Sequence, residues 1–241
     1  MNATTPNPAG EDFDKLVPFT EAMGEVRTIV EVGCHRMQDT ARMLKQWPDA
    51  KIICLEPDPR ALAFIKRHGV LERLRGRDGF TVPHLSPFAA GAHRGMGMLK
   101  LSTNFSDDPD KEWEQSSSLR LPKQFGNRED LGDNPCVFDG YSYIVQIFPL
   151  DEHYLIQSWS IVDLLWIDSQ GFEDEVLKGA TETLKRTRFI FMEHNTDGVY
   201  ENAPCLADLL ALLPGWEVIA TLPYDVLLKN KGEYPLTTRN P

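Results

Sequence analysis

The sequence predicts an α/β fold in which a doubly wound, mostly parallel sheet of seven strands ends in a C-terminal antiparallel β-hairpin. Short apolar runs alternate with amphipathic segments along most of the 241 residues. This alternation is typical of a parallel sheet that carries helices on both faces. The last two apolar runs, 216–222 and 224–230, are separated only by Pro223. Because so short a connection joins antiparallel strands, we expect them to form the hairpin.

The first part of the chain predicts the order β-α-β-α-β. Short apolar runs indicate buried strands, which we place at residues 28–33, 51–56 and 80–90. Helical periodicity between these runs places helices at residues 38–47 and 60–69. Pro57 and Pro59 suit the start of the second helix and Gly69 suits its end. Pro83 predicts that the third strand is irregular or lies near an edge.

The middle of the chain departs from this order. Strands are expected at 95–102 and 141–150, but the segment between them is polar and has few apolar runs. Long ordered loops in compact domains are usually lids or binding loops. We therefore interpret residues 102–140 as an inserted excursion and a candidate substrate lid.

The regular alternation resumes after this excursion. Strands are expected at 161–168 and 188–195, and helices at 173–186 and 203–214. With the hairpin, these strands bring the sheet to seven. A chain of this length suits one well-buried domain, so we expect a single domain over residues 1–241. Residues 1–26 form its N-terminal extension, and the first ten of them, polar and Pro-rich, are expected to be disordered.

Charge and composition exclude several classes of function. The net charge of −11 and the pI near 5.0 argue against nonspecific nucleic-acid binding and against an anionic membrane surface. No apolar run approaches the length of a membrane helix, and the N-terminal residues do not resemble a signal peptide. The four cysteines are far apart in sequence, which indicates neither a zinc site nor a disulfide framework. We therefore expect a cytoplasmic protein, and the oligomeric state stays open.

The ends of the first two strands predict a ligand. Gly33 ends the first strand, and a glycine there lets a ligand approach the backbone. Glu56 ends the second strand, 23 positions later (56 − 33). In doubly wound nucleotide-binding folds, an acid about 20 residues after the glycine binds the ribose hydroxyls. The pair predicts an adenosine-type ligand, with an ordinary turn and a solvated acid as the alternative.

The glycine pattern argues against a dinucleotide. The dinucleotide fingerprint G-x-G-x-x-G is absent, because residues 34–38 after Gly33 are Cys, His, Arg, Met and Gln. This disfavours a nicotinamide-dependent oxidoreductase. A cofactor without phosphates fits better, and S-adenosylmethionine is the common one.

Four stretches together resemble the FkbM family of class I S-adenosylmethionine-dependent methyltransferases, over roughly residues 28–195. They are the runs Glu31–Met37, Leu55-Glu56-Pro57, Ser116-Ser117-Ser118-Leu119 and Asp163–Ala180. The last run contains the most specific part, from Asp168 to Ala180. Glu193, which ends the next strand, also matches the family pattern. The resemblance implies a Rossmann-like methyltransferase fold and methyl transfer to a hydroxyl of a sugar, glycan or related natural product.

The resemblance and the strand ends also imply roles for individual residues. Cofactor-binding residues are expected at the first two strand ends: Glu31, Gly33, Cys34, His35, Glu56 and Pro57. Asp168, which should face the reactive methyl end, is the first catalytic candidate. Glu193 and His194 end the neighbouring strand, and His194 is attractive as a base because its ordinary pKa lies near neutrality.

Two further expectations concern the acceptor and a metal ion. Ser116, Ser117 and Ser118 offer hydroxyls to a small-molecule or glycan acceptor, with a solvated loop as the alternative. Asp168 and Glu193 together offer oxygen ligands for a divalent cation. Two carboxylates alone do not establish a metal site, so the metal stays unknown.

Three residues depart from the family pattern. Met37 stands where the family has a glycine, His35 where it has an asparagine, and Trp166 where it has a lysine. A bulky Met37 would crowd the cofactor unless its side chain turns away. A degenerate, noncatalytic binding protein is therefore the alternative to an active methyltransferase.

Overall fold

A seven-stranded sheet with the order β3-β2-β1-β7-β8-β10-β9 forms the centre of the protein. The computed structural model describes residues 12–76, 79, 81–127, 136–194 and 198–232. The expected disorder of residues 1–10 lies outside these ranges. In the sheet, β10 pairs antiparallel with both β8 and β9, and the other pairings are parallel. The predicted doubly wound, Rossmann-like methyltransferase fold with a C-terminal hairpin is thereby confirmed.

The strands of the described chain have the following bounds: β1 Thr28–Val32, β2 Lys51–Leu55, β3 His84–Ser86, β4 Ala89–Ala90, β5 Gly95–Thr103, β6 Val137–Phe148, β7 Val162–Ile167, β8 Thr187–Glu193, β9 Trp216–Thr221 and β10 Asp225–Asn230. The helices are α1 Asp12–Leu16, α2 Thr20–Met23, α3 Gln38–Gln46, α4 Pro59–Arg67, α5 Val70–Arg73, α6 Tyr154–Ser158, α7 Glu173–Lys178, α8 Thr181–Leu184 and α9 Leu206–Ala211. Among these described helices, none combines the length and apolar character that a membrane span requires.

The register of β1 brings three strand ends to one place. Val32 pairs with Leu55 of β2 on one side and with Ile167 of β7 on the other. Across the sheet, the order runs from β1 through β2 to β3 on one side of β1, and from β7 to β8 on the other side. In open α/β sheets, ligands bind at such a reversal, outside the carboxyl ends of the strands. Gly33, Glu56 and Asp168 all follow these ends.

Each face of the sheet carries its own buried core. Leu16 of α1 and Met43 of α3 pack on one face, in a cluster that also contains Trp166 and Phe191. Val176 of α7 and Leu209 of α9 belong to the cluster on the other face. β7 is buried throughout, because both of its faces are covered. This explains why its sequence is a continuous apolar run instead of an alternating one.

The middle of the chain forms a second sheet of three strands, in the order β4-β6-β5. The single strand predicted over 80–90 is wrong. Within this range, His84–Ser86 form β3 in the main sheet, and Ala89–Ala90 form β4, which pairs with β6. The residues between β5 and β6 form the excursion, which is somewhat shorter than expected, because β6 already begins at Val137.

The helix predicted over 173–186 is also divided in two. α7 ends at Lys178, and α8 begins at Thr181. Gly179, between them, lies against the backbone carbonyl of Gly91, where a side chain would have no room. The close approach of the second sheet therefore accompanies the break, and the helical periodicity of the sequence does not reveal it.

Candidate active site

The turn after β1 depends on Gly33. Its φ of +84° is in the region that favours glycine, and a Cβ here would collide with the backbone carbonyl oxygen of Asp168. Its N–H donates to the carbonyl of Leu55 at 2.9 Å. The glycine therefore lets the backbone of β1 lie directly against the end of β7, with the turn facing the cleft.

Glu56 is buried inside the cleft and held by two backbone donors. Its Oε2 accepts from the N–H of His35 at 2.8 Å, and its Oε1 accepts from the N–H of Asp58 at 2.7 Å. Burial raises the pKa of this carboxyl to about 8. A carboxylate has room for further donors at each oxygen, so it can still accept hydrogen bonds from a ligand. Pro57 lies beside it in the cleft wall.

Glu31 and Cys34 line the same cleft from the β1 side. Oε2 of Glu31 accepts from the hydroxyl of Thr40 at 2.6 Å and from the thiol of Cys54 at 3.3 Å. Burial raises the pKa of Glu31 to about 7 and that of Cys34 well above its ordinary value. Both side chains are therefore polar parts of the cleft wall. Because the pKa of Cys34 is raised, its thiol is not activated as a nucleophile.

The excursion contributes Glu114, which sequence reasoning missed. The side chain is buried and lies 3.2 Å from Nε2 of His35 and 2.6 Å from Nε of Arg36. Burial opposes ionisation, but the hydrogen bonds from His35 and Arg36 bring the pKa of Glu114 below its ordinary value. The guanidinium of Arg36 also donates to the carbonyl of Asp110 at 2.6 Å. No motif marks Glu114, because only tertiary contact brings it to the β1 turn.

The two bulky departures from the family pattern both turn away from the cleft. Met37 has a φ of 68° and is buried in the core cluster that contains Phe13 and Met43. Trp166 packs in the same cluster, with its ring 4.5 Å from that of Phe191. Neither residue is among those that line the cleft. The crowding expected from Met37 therefore does not occur.

Asp168 and Glu193 lie close together at the ends of β7 and β8. Nε2 of Gln170 donates to Oδ1 of Asp168 at 2.6 Å and to Oε2 of Glu193 at 2.8 Å. Burial, with a further contribution from the charge of Asp12, raises the pKa of Asp168 to about 8. Burial and the nearby Asp168 raise the pKa of Glu193 well above its ordinary value. Two buried carboxyls this close favour a state in which they share a proton.

Asp168 lines the main cleft, whereas Glu193 lies behind it. Glu193 lines a small neighbouring cavity that Asp168 also borders, together with residues of α1. Glu173 stabilises the turn after β7: its Oε1 accepts from the N–H groups of Ser169 and Gly171, each at 3.1 Å. Of the two predicted carboxylates, only Asp168 lines the main cleft.

The structure does not bring His194 into the cleft. Its Nε2 lies 3.3 Å from the carbonyl oxygen of Leu222, and its backbone N–H donates to the carbonyl of Tyr224. Because successive side chains of a strand point to opposite faces, His194 faces away when Glu193 faces Gln170.

The three serines are also separated. Ser117 and Ser118 line the cleft, whereas Ser116 does not. The hydroxyl of Ser116 accepts from the indole of Trp113 at 3.1 Å. That of Ser117 accepts from Arg60 at 2.9 Å, and that of Ser118 donates to the carbonyl of Gln170 at 2.6 Å. The hydroxyls of Ser117 and Ser118 therefore join the excursion to the main domain, whereas that of Ser116 is bonded within the excursion.

The cleft fits an adenosine with a short polar extension. It encloses about 1000 Å³, counting its open mouth, and its walls combine carboxylates with apolar side chains such as Leu55, Phe88 and Leu99. Gly33 and Glu56 both line the cleft, and no phosphate-binding glycine series is present. In this strand order, β10 lies next to the edge strand β9 and is antiparallel to both of its neighbours, and the cleft lies at the reversal between β1 and β7. This arrangement defines a class I methyltransferase.

The chain belongs to the FkbM methyltransferase family. A family model described as "Methyltransferase FkbM domain" matches residues 31–218. A curated relative, the 2-O-methyltransferase NoeI of Sinorhizobium fredii (strain NBRC 101917 / NGR234), is 34% identical over 208 residues, which cover 84% of this chain and 79% of the relative. The family resemblance inferred from the motifs is thereby confirmed.

Two solved methyltransferases show weaker similarity. Methyltransferase FkbM from Methylobacillus flagellatus KT aligns with a TM-score of 0.49 and 14% identity, over 85% of this chain but only 43% of its own. Magnesium protoporphyrin IX methyltransferase from Synechocystis PCC 6803, solved with bound SAM, aligns with a TM-score of 0.45 and 10% identity, over 94% of this chain and 85% of its own. Identities this low carry no information about substrates.

Proposed function

We propose that this protein transfers a methyl group from S-adenosylmethionine to a hydroxyl oxygen of a sugar, glycan or related natural product. The observation that carries the proposal is the position of Asp168. Its carboxyl group lines the cleft beside the Gly33 turn, at the end of the strand next to β1. The relative at 34% identity is a 2-O-methyltransferase, which supports a hydroxyl acceptor.

The cofactor-binding residues follow from the cleft walls. Glu56 accepts hydrogen bonds from the ribose hydroxyls. The backbone N–H groups of His35 and Asp58 hold its two oxygens in place, and each oxygen can accept a further donor. Gly33, Cys34 and His35 provide the backbone of the β1 turn, while Glu31 and Pro57 complete the two strand ends. When bound, S-adenosylmethionine supplies an electrophilic methyl group on a sulfonium.

Asp168 acts on the acceptor as positioning group and general base. A carboxylate within hydrogen-bond reach of a hydroxyl can orient it and accept its proton as the oxygen becomes a nucleophile. Glu193 supports this role from behind, where it shares the Gln170 amide with Asp168. Because His194 faces the carbonyl of Leu222, we assign it no part in the reaction.

The excursion forms the wall of the cleft opposite β1 and serves as the lid of the acceptor site. Ser117, Ser118 and Leu119 face the cleft from this segment. Arg36 and Arg60 fix it to the main domain through hydrogen bonds to its carbonyls and to Ser117. The excursion wall also contains Glu114 and Gln115. Small-molecule or glycan acceptors with several hydroxyls suit a wall of serines, a carboxylate, an amide and the one apolar side chain of Leu119.

A direct test is transfer of an isotopically labelled methyl group to a panel of sugars, oligosaccharides and glycosylated natural products. We expect labelled product from a polyhydroxylated acceptor and none from acceptors whose hydroxyls are blocked. Calorimetry with S-adenosylhomocysteine and NAD, in parallel, should show binding of the adenosylated ligand alone. Binding of S-adenosylhomocysteine without transfer to any member of the panel would instead support the noncatalytic alternative that Met37 and Trp166 suggested.

The Asp168–Glu193 pair is arranged for a neutral donor and not for a cation. No group of three metal-binding side chains occurs among the described residues, and Nε2 of Gln170 already donates a hydrogen bond to each of the two carboxyls. We therefore expect dialysis against EDTA to leave kcat unchanged, measured with and without added Mg²⁺ or Mn²⁺. Loss of activity that either ion restores would assign a divalent cation to this pair.

A further inference from the structure

Gln170 occupies an unusual position in the turn after β7. Its φ of 55° is left-handed, which is rare for a residue with a side chain. The turn places it in the cleft wall, two residues after Asp168 and directly before Gly171. Its backbone carbonyl accepts from the hydroxyl of Ser118 at 2.6 Å. The excursion is thus connected to the turn after β7 through Gln170, and also through Arg120, whose Nε donates to the carbonyl of Gly171 at 3.1 Å.

The side-chain amide of Gln170 is fully used. Nε2 donates to Asp168 at 2.6 Å and to Glu193 at 2.8 Å, and Oε1 lies 3.0 Å from the hydroxyl of Tyr200. The same hydroxyl lies 2.7 Å from the carbonyl oxygen of Ser116, so its one proton can be donated to either acceptor. The two contacts of Nε2 assign the orientation of the amide, because the flipped form would direct Oε1 at two carboxyl groups.

Two carboxyl groups at the ends of adjacent strands repel each other when both are ionised. The amide of Gln170 donates a hydrogen bond to each of them, and therefore stabilises the two carboxyl groups side by side. We propose that Gln170 is a positioning residue that holds the Asp168–Glu193 pair in its productive arrangement. The inference rests on the proposed function, in which Asp168 receives the acceptor proton.

The charged groups around the Asp168–Glu193 pair predict how removal of the Gln170 amide would change the ionisation of Asp168. Titratable groups face it from every neighbouring element: Asp12 and Lys15 of α1, Glu173 of α7 and Asp225 of β10. Hydrogen bonds from Gln170 lower the pKa of Asp168 against the raising effects of burial and of Asp12. Removal of the amide should therefore move the ionisation of Asp168 to higher pH.

The test is Gln170→Met, which keeps the length of the side chain and removes both donors. We expect kcat to fall about 10- to 100-fold, the affinity for S-adenosylhomocysteine to stay unchanged, and the rising limb of the pH–rate profile to move to higher pH. Gln170→Asn, which keeps a donor on a shorter side chain, should lose less. Gln157→Met on α6, outside the cleft, is the matched control.

A second variant and a second measurement keep the test decisive. If Gln170→Met does not fold, Tyr200→Phe removes the hydroxyl that orients the amide and should move the pH profile in the same direction. Carboxyl ¹³C NMR titration of the protein without cofactor reports the pKa of Asp168 independently of turnover. Unaltered kcat, pH profile and NMR titration would overturn the inference, whereas a wild type without transfer activity but with a Gln170-dependent titration would count against the proposed function alone.

Discussion

Replacement of Asp168 by asparagine is expected to lower kcat by about 10²- to 10⁴-fold, the usual contribution of a general base. Asparagine has nearly the same shape and keeps one oxygen for Gln170, so the turn should remain intact. S-adenosylhomocysteine affinity, measured by calorimetry, should be nearly unchanged, because Glu56 and the Gly33 turn lie on other strands. The variant therefore separates the chemical step from cofactor binding.

The wild-type pH profile follows from the same residue. Burial and the charge of Asp12 raise the pKa of Asp168 to about 8. A base must be ionised to accept a proton, and kcat/KM reports the ionisations of the free enzyme. At saturating S-adenosylmethionine, kcat/KM for the acceptor should therefore rise with pH up to about 8 and level off above it. Asp168→Asn should be insensitive to pH over this range, and Asp139→Asn on the outlying strand β6 is the control. Full activity of Asp168→Asn would remove Asp168 from the mechanism.

Much of the fold could be predicted because its strands are buried on both faces. β1, β2, β7 and β8 read as continuous apolar runs, and such runs identify strands of a parallel sheet. The exception, the run over 80–90, divides between two sheets. Short segments with alternative partners have no distinctive period, so β3 and β4 could be separated only by their pairings with β2 and β6.

The site could be predicted where it depends on strand ends, and not where it depends on side-chain direction or long-range contact. Gly33, Glu56 and Asp168 each follow a strand directly, so topology alone brings them together. His194 follows Glu193 by one residue and faces the opposite way, toward Leu222. Glu114 reaches the cleft from the excursion, 78 positions from the arginine that holds it.

Replacement of Glu56 by glutamine should weaken the binding of S-adenosylhomocysteine by about 10- to 100-fold, since hydrogen bonds to a charged group contribute about 1.5–3 kcal/mol and each 1.4 kcal/mol is tenfold in Kd. Both carboxylate oxygens already accept from backbone N–H groups, those of His35 and Asp58. A glutamine NH₂ would face one of these donors, so the variant loses acceptors for the ribose and also disturbs the β1 turn. Calorimetry measures this loss directly, and Glu217→Gln on β9 is the matched control.

The affinity of the wild-type protein should also depend on pH. Burial raises the pKa of Glu56 to about 8 in the free protein, and hydroxyl donors of a ribose favour the ionised form. Binding should therefore release a proton below this pKa, so that affinity increases with pH and becomes constant above it. Calorimetry in buffers with different ionisation enthalpies detects the released proton. If Glu56→Gln binds S-adenosylhomocysteine as tightly as the wild type, and no proton is released, the ribose is bound elsewhere in the cleft.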